Sequence, residues 1–522
     1  MKLFAVPITV WFVLISFSGN GQRASIVTLS ETIQISSEVP ILPVIKGLAV
    51  NPLLCIKIYI PGQVNVGKFR EINCTLNKEG INTIEKLELY FTDLEPLFST
   101  GQLLSSVTDC KSNFSIPVQL DLKPGWHYIW LSAKLKQEAD ITKKIELHVS
   151  GLVDAANKTL LVKEQATGYK KYIGVAVRKA NDDNVNTYRI PGVITTNQGT
   201  LIGVYDIRYK NSTDLPGNID VGMSRSIDGG NTWQPMKIIV DMGAPHENNG
   251  VGDPAILFDP VTKKIWVAAL WSKGYRSIAG SMPGLSPDTT GQLVVVSSDD
   301  DGLTWTKPKS ITEQVKNPIW HLFFTGPGNG IAMKDGKIVF AAQYWDENKL
   351  PWSTLIYSAD HGVSWKGKLT GPKSNTTESQ LVETTPGKLM LNMRDNRGGF
   401  RSVATSSNMG NDWVEHFSSY NMLPDPVCMG SLIKATVNLK GQKKEVLFFS
   451  NPNTPYGRFD ITIKASLDFG ESWQSANQLL IDQRKCFGYS SLTSINDGAI
   501  GILYEGSRDL YFVRIPITDI IK

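Results

Sequence analysis

The feature that most constrains the fold of this chain is a short box, Ser-x-Asp-x-Gly-x-Thr-Trp with Ser in place of Thr in two copies, which recurs five times, once in a degenerate form. The copies occupy residues 226–233, 298–305, 358–365, 406–413 and 466–473. The Asp can accept hydrogen bonds from the backbone of its own turn, the Gly permits positive φ, and the Trp packs against a sheet. The box therefore predicts a β-hairpin turn, and we interpret its aspartates as structural rather than catalytic.

The spacing of the boxes predicts the architecture of the C-terminal region. Successive copies begin roughly 50 to 70 residues apart, which is the length of one four-stranded propeller blade. Five copies within about 350 residues indicate six blades, one of which lacks the box. We therefore predict an all-β chain in which residues 169–522 form a six-bladed β-propeller.

The region before the boxes has a different sequence pattern. Residues 23–155 contain short alternating segments such as CIKIYI, KLELYF and HYIWLSAKL, which predict a small β-sandwich. Residues 156–168 are interpreted as a linker. By position the sandwich could be a carbohydrate-binding module, with Trp126 and Trp130 as stacking platforms. Because these two alternate on one strand face, burial in the sandwich core is an equal alternative.

The first residues indicate export. Residues 1–22 carry Lys2, an apolar run to Phe17 and small polar residues afterwards, as in a cleaved signal peptide. The apolar run is short for a membrane span, and no later segment is long enough to cross a bilayer. We expect a secreted or periplasmic monomer without a transmembrane segment.

The remaining composition excludes several classes of function. A net charge of +4 is small for 522 residues, and no basic run is interleaved with aromatic residues, so nucleic acid is not an expected partner. The five cysteines and six histidines lack zinc-ligand spacing, and no cofactor motif is present. After export, Cys428–Cys486 or Cys55–Cys74 could form a bridge, with free buried thiols as the alternative.

Motifs outside the boxes point to a family. Residues 170–522 contain, in order, TYRIPGVI, NTTESQLVE, LNMRDNRGG, YGRFDITIKASLDFGESW and GYSSLT. Together with the boxes, this region resembles bacterial sialidases of glycoside hydrolase family 33. The resemblance implies an exo-α-sialidase that removes terminal sialic acid from glycans with retention and needs no cofactor.

The resemblance assigns three arginines to the substrate carboxylate: Arg189, Arg394 and Arg458. Sialic acid carries a carboxylate on its anomeric carbon, and guanidinium groups bind carboxylates through charge-assisted hydrogen bonds of fixed geometry. Glu505 resembles the acid that orients the first of these arginines. Taken singly, each arginine would more often be a surface ion-pair partner.

The resemblance also assigns the reacting groups. Tyr489 corresponds to the nucleophile and Glu378 to the carboxylate that activates it; a neutral phenol avoids the like-charge repulsion that a carboxylate would meet beside the substrate carboxylate. Asp214 corresponds to the acid that protonates the leaving oxygen. Asp220 is a nearby rival that we expect to be structural.

Secondary contacts and alternative functions complete the prediction. Arg208 and Asp253 resemble the pair that contacts the 4-hydroxyl of the sugar. Loose candidates for the acetamido and glycerol pockets are Trp320, Trp345 and Trp352. Alternative functions are a trans-sialidase, an enzyme that releases an anhydro product, a non-catalytic sialic-acid-binding propeller, and another glycosidase with two carboxylates.

Overall fold

The described part of the chain consists almost entirely of β-strands. The computed structural model describes residues 32–64, 67–164, 169–496 and 498–522, so the predicted signal peptide lies outside the described residues. Within these ranges the α-helices are Lys78–Thr83, Thr312–Val315 and Ile517–Ile520, and the 3-10 turns are Asp182–Asn184, His246–Asn248, Ile278–Gly280 and Ser475–Asn477. No helix in this part of the chain has the length and apolar character to span a membrane.

Two sheets form the N-terminal sandwich. The larger contains, in spatial order, Lys163–Glu164, Gln34–Glu38, Asn51–Ile60, Gly125–Leu135, Ile84–Asp93 and Gln102–Val107. The smaller contains Thr159–Leu161, Leu147–Asp154, Gly67–Leu76 and Asn113–Leu122. The last of these strands shows why the sheets pack: Ile116, Val118 and Leu120 are buried, while the residues between them are exposed. Apolar side chains from both sheets share one core.

The two tryptophans of the sandwich have different surroundings. Trp130 is only 9% exposed, yet it packs in a small cluster with Cys55 and Tyr90, separate from the core between the sheets, and its ring lies 5.6 Å from that of Phe98. Trp126 is 45% exposed, with its ring 5.2 Å from that of Tyr59. The expected burial is therefore found for Trp130, within this smaller cluster, but not for Trp126, whose sugar-binding role stays a prediction.

The region that carries the boxes forms six consecutive sheets, which we number 1 to 6. Sheet 1 contains Thr187–Thr195, Leu201–Arg208, Ile219–Ser226 and Lys237–Val240. Sheet 2 contains Val251–Phe258, Ile265–Trp271, Gln292–Ser298 and Lys309–Ser310, with Gly328–Asn329 beside its first strand. Sheet 3 contains Leu322–Thr325, Ile338–Trp345 and Pro351–Ser358, and Ile331–Ala332 also pairs with its central strand.

The other three sheets repeat the pattern. Sheet 4 contains Thr376–Thr385, Lys388–Asp395, Ser402–Ser406 and Val414–Glu415, and next to it Gly399–Phe400 pairs with Pro424–Asp425. Sheet 5 contains Ser431–Leu439, Gln442–Pro452, Ile461–Ser466 and Gln478–Asp482. Sheet 6 contains Ser490–Ile495, Ala499–Glu505, Leu510–Pro516, Lys171–Arg178 and Val44–Lys46, and Lys144–Ile145 also pairs with Lys171–Arg178.

Contacts between neighbouring sheets bring the first and last of them together. The strand Thr187–Thr195 of sheet 1 contacts both Val251–Phe258 of sheet 2 and Ser490–Ile495 of sheet 6. Sheet 6 also takes up Lys171–Arg178, which precedes sheet 1 in sequence. These are the contacts that six blades around an axis require, and the all-β class is confirmed. Strands from both sides of the predicted linker share sheet 6.

Each box lies after the third strand of its sheet, and sheet 6 is the one without a box. In the first copy, Oδ1 of Asp228 accepts hydrogen bonds from Oγ of Ser226 at 2.8 Å and from the amide of Thr232 at 2.9 Å. Nε1 of Trp233 donates to the carbonyl of Gly230 at 3.1 Å. The box aspartates are therefore turn residues, as predicted. All five cysteines are free, so neither of the two possible bridges is formed.

Candidate active site

One cavity of about 270 Å³ collects most of the predicted site residues. Its lining includes Arg189, Asp214, Asp253, Glu378, Arg394, Arg458 and Tyr489, which come from five of the six sheets and from the loops that follow their strands. The two remaining predicted residues, Arg208 and Glu505, lie behind this lining and contact it. Residues that are hundreds of positions apart in sequence therefore meet at one end of the sheets.

Tyr489 is the centre of a buried cluster. It precedes the first strand of sheet 6 and is 5% exposed. Its hydroxyl donates a hydrogen bond to Oε1 of Glu378 at 2.5 Å and accepts one from Nη1 of Arg394 at 3.0 Å. Burial and then the carboxylate of Glu378 raise the pKa of Tyr489 well above its ordinary value, and Arg394 acts in the opposite direction. The free phenol is therefore protonated and bonded to a carboxylate that can accept its proton.

Glu505 ties two cavity residues together. This fully buried carboxylate accepts hydrogen bonds from Nε of Arg189 at 3.1 Å, from the amide of Ile190 at 2.9 Å and from the amide of Tyr489 at 2.9 Å. Arg189 comes from sheet 1 and Tyr489 from sheet 6, so one side chain fixes both across the junction between these sheets. The orienting role of Glu505 stays a prediction.

The other two arginines are held in different ways. Nη1 of Arg394 donates to Oε2 of Glu378 at 2.6 Å, whereas its buried Nε has no hydrogen-bond partner among the described residues. Arg458 donates to two backbone carbonyls, that of Phe487 at 2.8 Å and that of Val427 at 3.0 Å. Both arginines line the cavity while other groups of the protein hold their guanidinium groups in place.

Asp214 occupies the exposed side of the cavity. It lies in the loop between the second and third strands of sheet 1, and its side chain is 66% exposed. Its Oδ1 lies 2.8 Å from Nη1 of Arg208 and 3.4 Å from Nη1 of Arg189. Burial acts to raise the pKa of Asp214, but these guanidinium groups outweigh it and hold the pKa below its ordinary value. The rival Asp220 does not line the cavity, and it accepts a hydrogen bond from Tyr209 at 3.0 Å.

Asp206 is a functional residue that sequence reasoning missed. Its Oδ2 accepts hydrogen bonds from Arg208 at 2.9 and 3.1 Å, and its Oδ1 accepts one from the amide of Asp253 at 2.9 Å. A signal was available: Asp206 and Arg208 are two positions apart on one strand, so their side chains share a face of the sheet. Burial and then Asp206 raise the pKa of Asp253 well above its ordinary value, which favours a protonated carboxyl in the cavity.

Two residues that line the cavity, and one that contacts Arg458 from behind it, have strained backbones. Ile190, Asp253 and Val427 have φ angles of 58°, 54° and 58°, in the left-handed region that β-branched residues in particular avoid. Two of them coincide with irregular pairing, between Arg189 and Gly192 and between Gly252 and Ala255. Such strain persists only where the surroundings enforce it, and it concentrates at functional sites.

The apolar lining was predicted only in part. Of the three loosely proposed tryptophans, only Trp345 lines the cavity. Trp320 is buried and stacks on Tyr344 at 3.9 Å, and Trp352 stacks on the same ring from 6.3 Å. Lining residues that the sequence did not single out are Ile190, Ile278, Phe324, Gln343, Thr377 and Asn396.

The site is suited to bind an anion and to move protons. Three guanidinium groups face one cavity with a phenol, its carboxylate partner, an exposed carboxylate and the half-buried carboxyl of Asp253. In the described ranges, no group of three or more His, Cys, Asp or Glu side chains is arranged to hold a metal ion. The residues that line the cavity include groups of the types that act as nucleophile, base and acid.

Comparisons with known proteins identify the family of the chain. The family model for a BNR repeat-like domain matches residues 211–502, and that for the N-terminal domain of BNR-repeat neuraminidase matches residues 30–159. A sialidase of Bacteroides fragilis (strain YCH46) is 45% identical over 482 residues, which cover 85% of this chain and 88% of that protein. A sialidase of Micromonospora viridifaciens is 32% identical over 341 residues, covering 63% of this chain and 52% of that protein. The solved structure of Hadza microbial sialidase Hz136 superposes with a TM-score of 0.86 at 38% identity and covers 93% of this chain and 100% of that one.

Proposed function

Because this chain belongs to the BNR-repeat sialidase family and is a glycoside hydrolase, we propose that it is an exo-α-sialidase that acts with retention through Tyr489. The observation that carries this proposal is the contact of the Tyr489 hydroxyl with both Glu378 and Arg394 inside the cavity that Arg189 and Arg458 also line. The proposed substrates are glycoproteins, glycolipids and oligosaccharides that end in sialic acid.

The first step is capture of the substrate carboxylate. Arg189, Arg394 and Arg458 reach the cavity from different sheets and are held by a buried carboxylate, by Glu378 and by backbone carbonyls. Because these partners fix the guanidinium groups before substrate arrives, little reorganisation is needed on binding.

The second step is attack by Tyr489. Its raised pKa means that the phenol does not ionise spontaneously near neutral pH, so the proton must leave as the bond forms. The carboxylate of Glu378 at 2.5 Å accepts that proton, and Arg394 stabilises the negative charge that develops on the phenol oxygen. A bond forms between Oη of Tyr489 and the anomeric carbon while the bond from that carbon to the leaving oxygen breaks.

Asp214 supplies the proton to the leaving oxygen. In the free protein, Arg189 and Arg208 lower its pKa, which favours the anion. A substrate carboxylate on Arg189 adds negative charge next to Asp214 and competes for that guanidinium, so the pKa of Asp214 rises as substrate binds. Substrate binding thereby prepares the acid that the reaction needs.

Hydrolysis of the covalent intermediate reverses these roles. Asp214, now an anion, takes a proton from water as the water oxygen attacks the anomeric carbon. The bond to Tyr489 breaks, and the phenol recovers its proton from Glu378. Two successive inversions give retention, and free sialic acid leaves as the α anomer.

Two other outcomes use the same site. If a sugar hydroxyl or the substrate's own glycerol chain replaces water, the products are a transferred or an anhydro sialic acid. A non-catalytic binding propeller would need the arginines alone, and the contact between Tyr489 and Glu378 favours a catalyst over such a binder.

The experiment is an NMR time course with sialyllactose from the first minute. We expect free α-sialic acid that later mutarotates to the β anomer. An anhydro or transferred product would leave the residue roles in place and change the reaction. Binding without turnover of any linkage would contradict the catalytic proposal.

The finer assignments around the enzyme are proposals as well. We propose that residues 1–22 are a cleaved export signal and that the protein is a secreted or periplasmic monomer. We also propose that residues 23–155 and 169–522 are two domains, joined by residues 156–168 and by the strands that they share in sheet 6. Mass spectrometry of the secreted protein, which would locate its first residue, and light scattering would test cleavage and oligomeric state.

A further inference from the structure

A strained turn supports one of the cavity arginines from behind. Val427 has a φ of 58°, which is strained for a β-branched residue. Its carbonyl oxygen accepts a hydrogen bond from Nη2 of Arg458 at 3.0 Å. The strain is therefore located where the backbone contacts a guanidinium group that lines the cavity.

Two buried side chains hold this turn. Oδ1 of Asp425 accepts a hydrogen bond from the amide of Cys428 at 2.9 Å, and Nη1 of Arg401 donates to the carbonyl of Cys428 at 2.5 Å. Both backbone polar groups of the residue after Val427 are thus fixed by charged partners. Arg401 also donates to the side chain and the carbonyl of Asn392 at 2.7 and 3.2 Å, which anchors it to sheet 4.

The same network extends into sheet 5. Asn451 donates to Oδ2 of Asp425 at 3.2 Å and accepts a hydrogen bond from Nζ of Lys464 at 2.8 Å. Arg401, Asp425 and Lys464 are each at most 1% exposed, and none of them lines the cavity. Transferring charged groups from water into the protein interior costs free energy, and a buried ion pair therefore gives little net stability. Stability alone is a weak reason for this network.

We propose that Arg401 and Asp425 are positioning residues for Arg458. They hold the turn at 425–428 so that the Val427 carbonyl faces the guanidinium, and this orientation sets the affinity of the site for the substrate carboxylate. The inference rests on the proposed function, because it takes Arg458 to be a carboxylate ligand.

The main test is Asp425→Asn. The amide keeps an acceptor for Cys428 but presents a donor where Asp425 accepts from Arg401 and Asn451. Binding is measured by calorimetry with two probes, free sialic acid and its methyl ester, which lacks the carboxylate charge. We expect affinity for the free acid to fall roughly tenfold and affinity for the ester to stay within about twofold. The KM for sialyllactose should rise with little change in kcat.

A matched control is available in another buried ion pair. Oδ2 of Asp301 lies 2.6 Å from Nη2 of Arg225, the carboxylate is mostly buried, and neither residue lines the cavity. Asp301→Asn should lower the melting temperature while leaving both affinities unchanged. Equal losses in Asp301→Asn and Asp425→Asn would show that any weakened buried pair has the same effect, which would overturn the proposal.

A second variant provides a test that does not depend on the folding of Asp425→Asn. Val427→Gly keeps the carbonyl and relieves the strain, because glycine adopts positive φ freely. We expect an unchanged or higher melting temperature and about threefold weaker binding of the free acid, because the carbonyl is held less firmly.

The results distinguish a failure of the proposed carboxylate site from a failure of the proposed positioning role. If the wild-type protein binds acid and ester equally, the proposed carboxylate site itself is wrong. If the wild type prefers the acid and the Val427→Gly variant keeps its full affinity, the site stands and the positioning role is overturned. Parallel losses for acid and ester in Asp425→Asn would also overturn it.

Discussion

Tyr489 and Asp214 face the same cavity from opposite environments. Tyr489 is 5% exposed, and its hydroxyl and amide are both held by buried or half-buried partners from other strands. The side chain of Asp214 is 66% exposed, lies in a loop and is held by two arginines through charge. The proposed nucleophile is therefore fixed by packing and hydrogen bonds, whereas the proposed acid is tuned by charges that substrate can displace.

The two environments suit the two tasks. A nucleophile must approach one carbon from one direction, so a rigid position at the start of a strand is an advantage. An acid that later becomes a base must change protonation state within each turnover, which is easier for a group with access to water. The predictions below test this division of roles.

The largest expected effect is that of Tyr489→Phe. Removing the hydroxyl leaves Glu378 and Arg394 without their shared partner and removes the proposed nucleophile. We expect kcat to fall about a thousandfold or more, both on sialyllactose and on an aryl sialoside. Initial rates on both substrates measure this, and retention of more than a tenth of the activity would exclude Tyr489 as nucleophile.

The next effect, that of Asp214→Asn, should depend on the leaving group. Lactose needs a proton to depart, whereas a nitrophenolate leaves without one. We expect roughly a hundredfold loss in kcat/KM on sialyllactose and a loss of less than about tenfold on the aryl sialoside. Equal losses on both substrates would show that Asp214 is not the acid. The Asp220→Asn variant serves as the neighbouring control, because Asp220 does not line the cavity.

A smaller effect concerns the pH profile. Arg208 lowers the pKa of Asp214, so removing its charge should raise that pKa and keep the acid protonated to higher pH. The double variant Arg208→Gln with Asp206→Asn removes both charges of the buried pair, and we expect the basic limb of kcat to move upward by about one pH unit. A shift to lower pH would contradict the proposed tuning.

The fold could be predicted from sequence because its signals are local. Each box contains its turn, its hydrogen-bond acceptor and its packing residue within eight positions, so the sheets could be placed one by one. The pairing of Val44–Lys46 with Lys171–Arg178 could not be predicted, because a parallel contact between distant segments has no local pattern. The sequence also could not distinguish the buried Trp130 from the exposed Trp126, because the ring of Phe98 that packs against Trp130 lies in an irregular segment.

Contacts between distant segments, which have no local sequence pattern, are even more important in the candidate site. The cavity residues were named through family motifs, and the structure brings them together, although their roles remain proposals. Arg401 and Asp425 belong to none of the motif positions that were assigned a role. Their contact with the turn behind Arg458 depends on how sheets 4 and 5 meet, which neither residue spacing nor composition encodes.

The smallest effect is expected far from the cavity, at Asp300 of the second box. Oδ1 of Asp300 accepts hydrogen bonds from Ser298 and from the amide of Thr304, both at 2.8 Å. Burial acts to raise the pKa of Asp300, but the hydrogen bonds from Thr304 and Ser298 lower it to about 2. Asp300→Ala should reduce the free energy of unfolding by about 1 kcal/mol, since the site is partly open to solvent, and leave kcat unchanged.

The pH dependence of that loss follows from the lowered pKa. A carboxylate whose pKa is lower in the folded than in the unfolded protein stabilises the fold above the unfolded value, and this contribution is lost as pH falls. Urea titrations of wild type and Asp300→Ala should therefore differ at pH 7 and converge between about pH 4 and 2. If the two free energies of unfolding differed by the same amount across this pH range, the shape of the Asp300 side chain rather than its charge would stabilise the turn.

The degenerate box supplies a rescue for the same position. There Asn408 replaces the Asp, and its Nδ2 donates to Oδ2 of Asp412 at 2.7 Å while its Oδ1 accepts from the amide of Asp412 at 2.9 Å. Asp300→Asn alone should destabilise the second box, and adding Thr304→Asp should restore most of the loss by recreating this pair. Urea unfolding of the two variants measures the recovery, which we expect to be about 0.5 kcal/mol. If the second substitution recovers none of the lost free energy of unfolding, the boxes are not interchangeable turns. The contrast between purely structural boxes and a catalytic cavity would then be weaker.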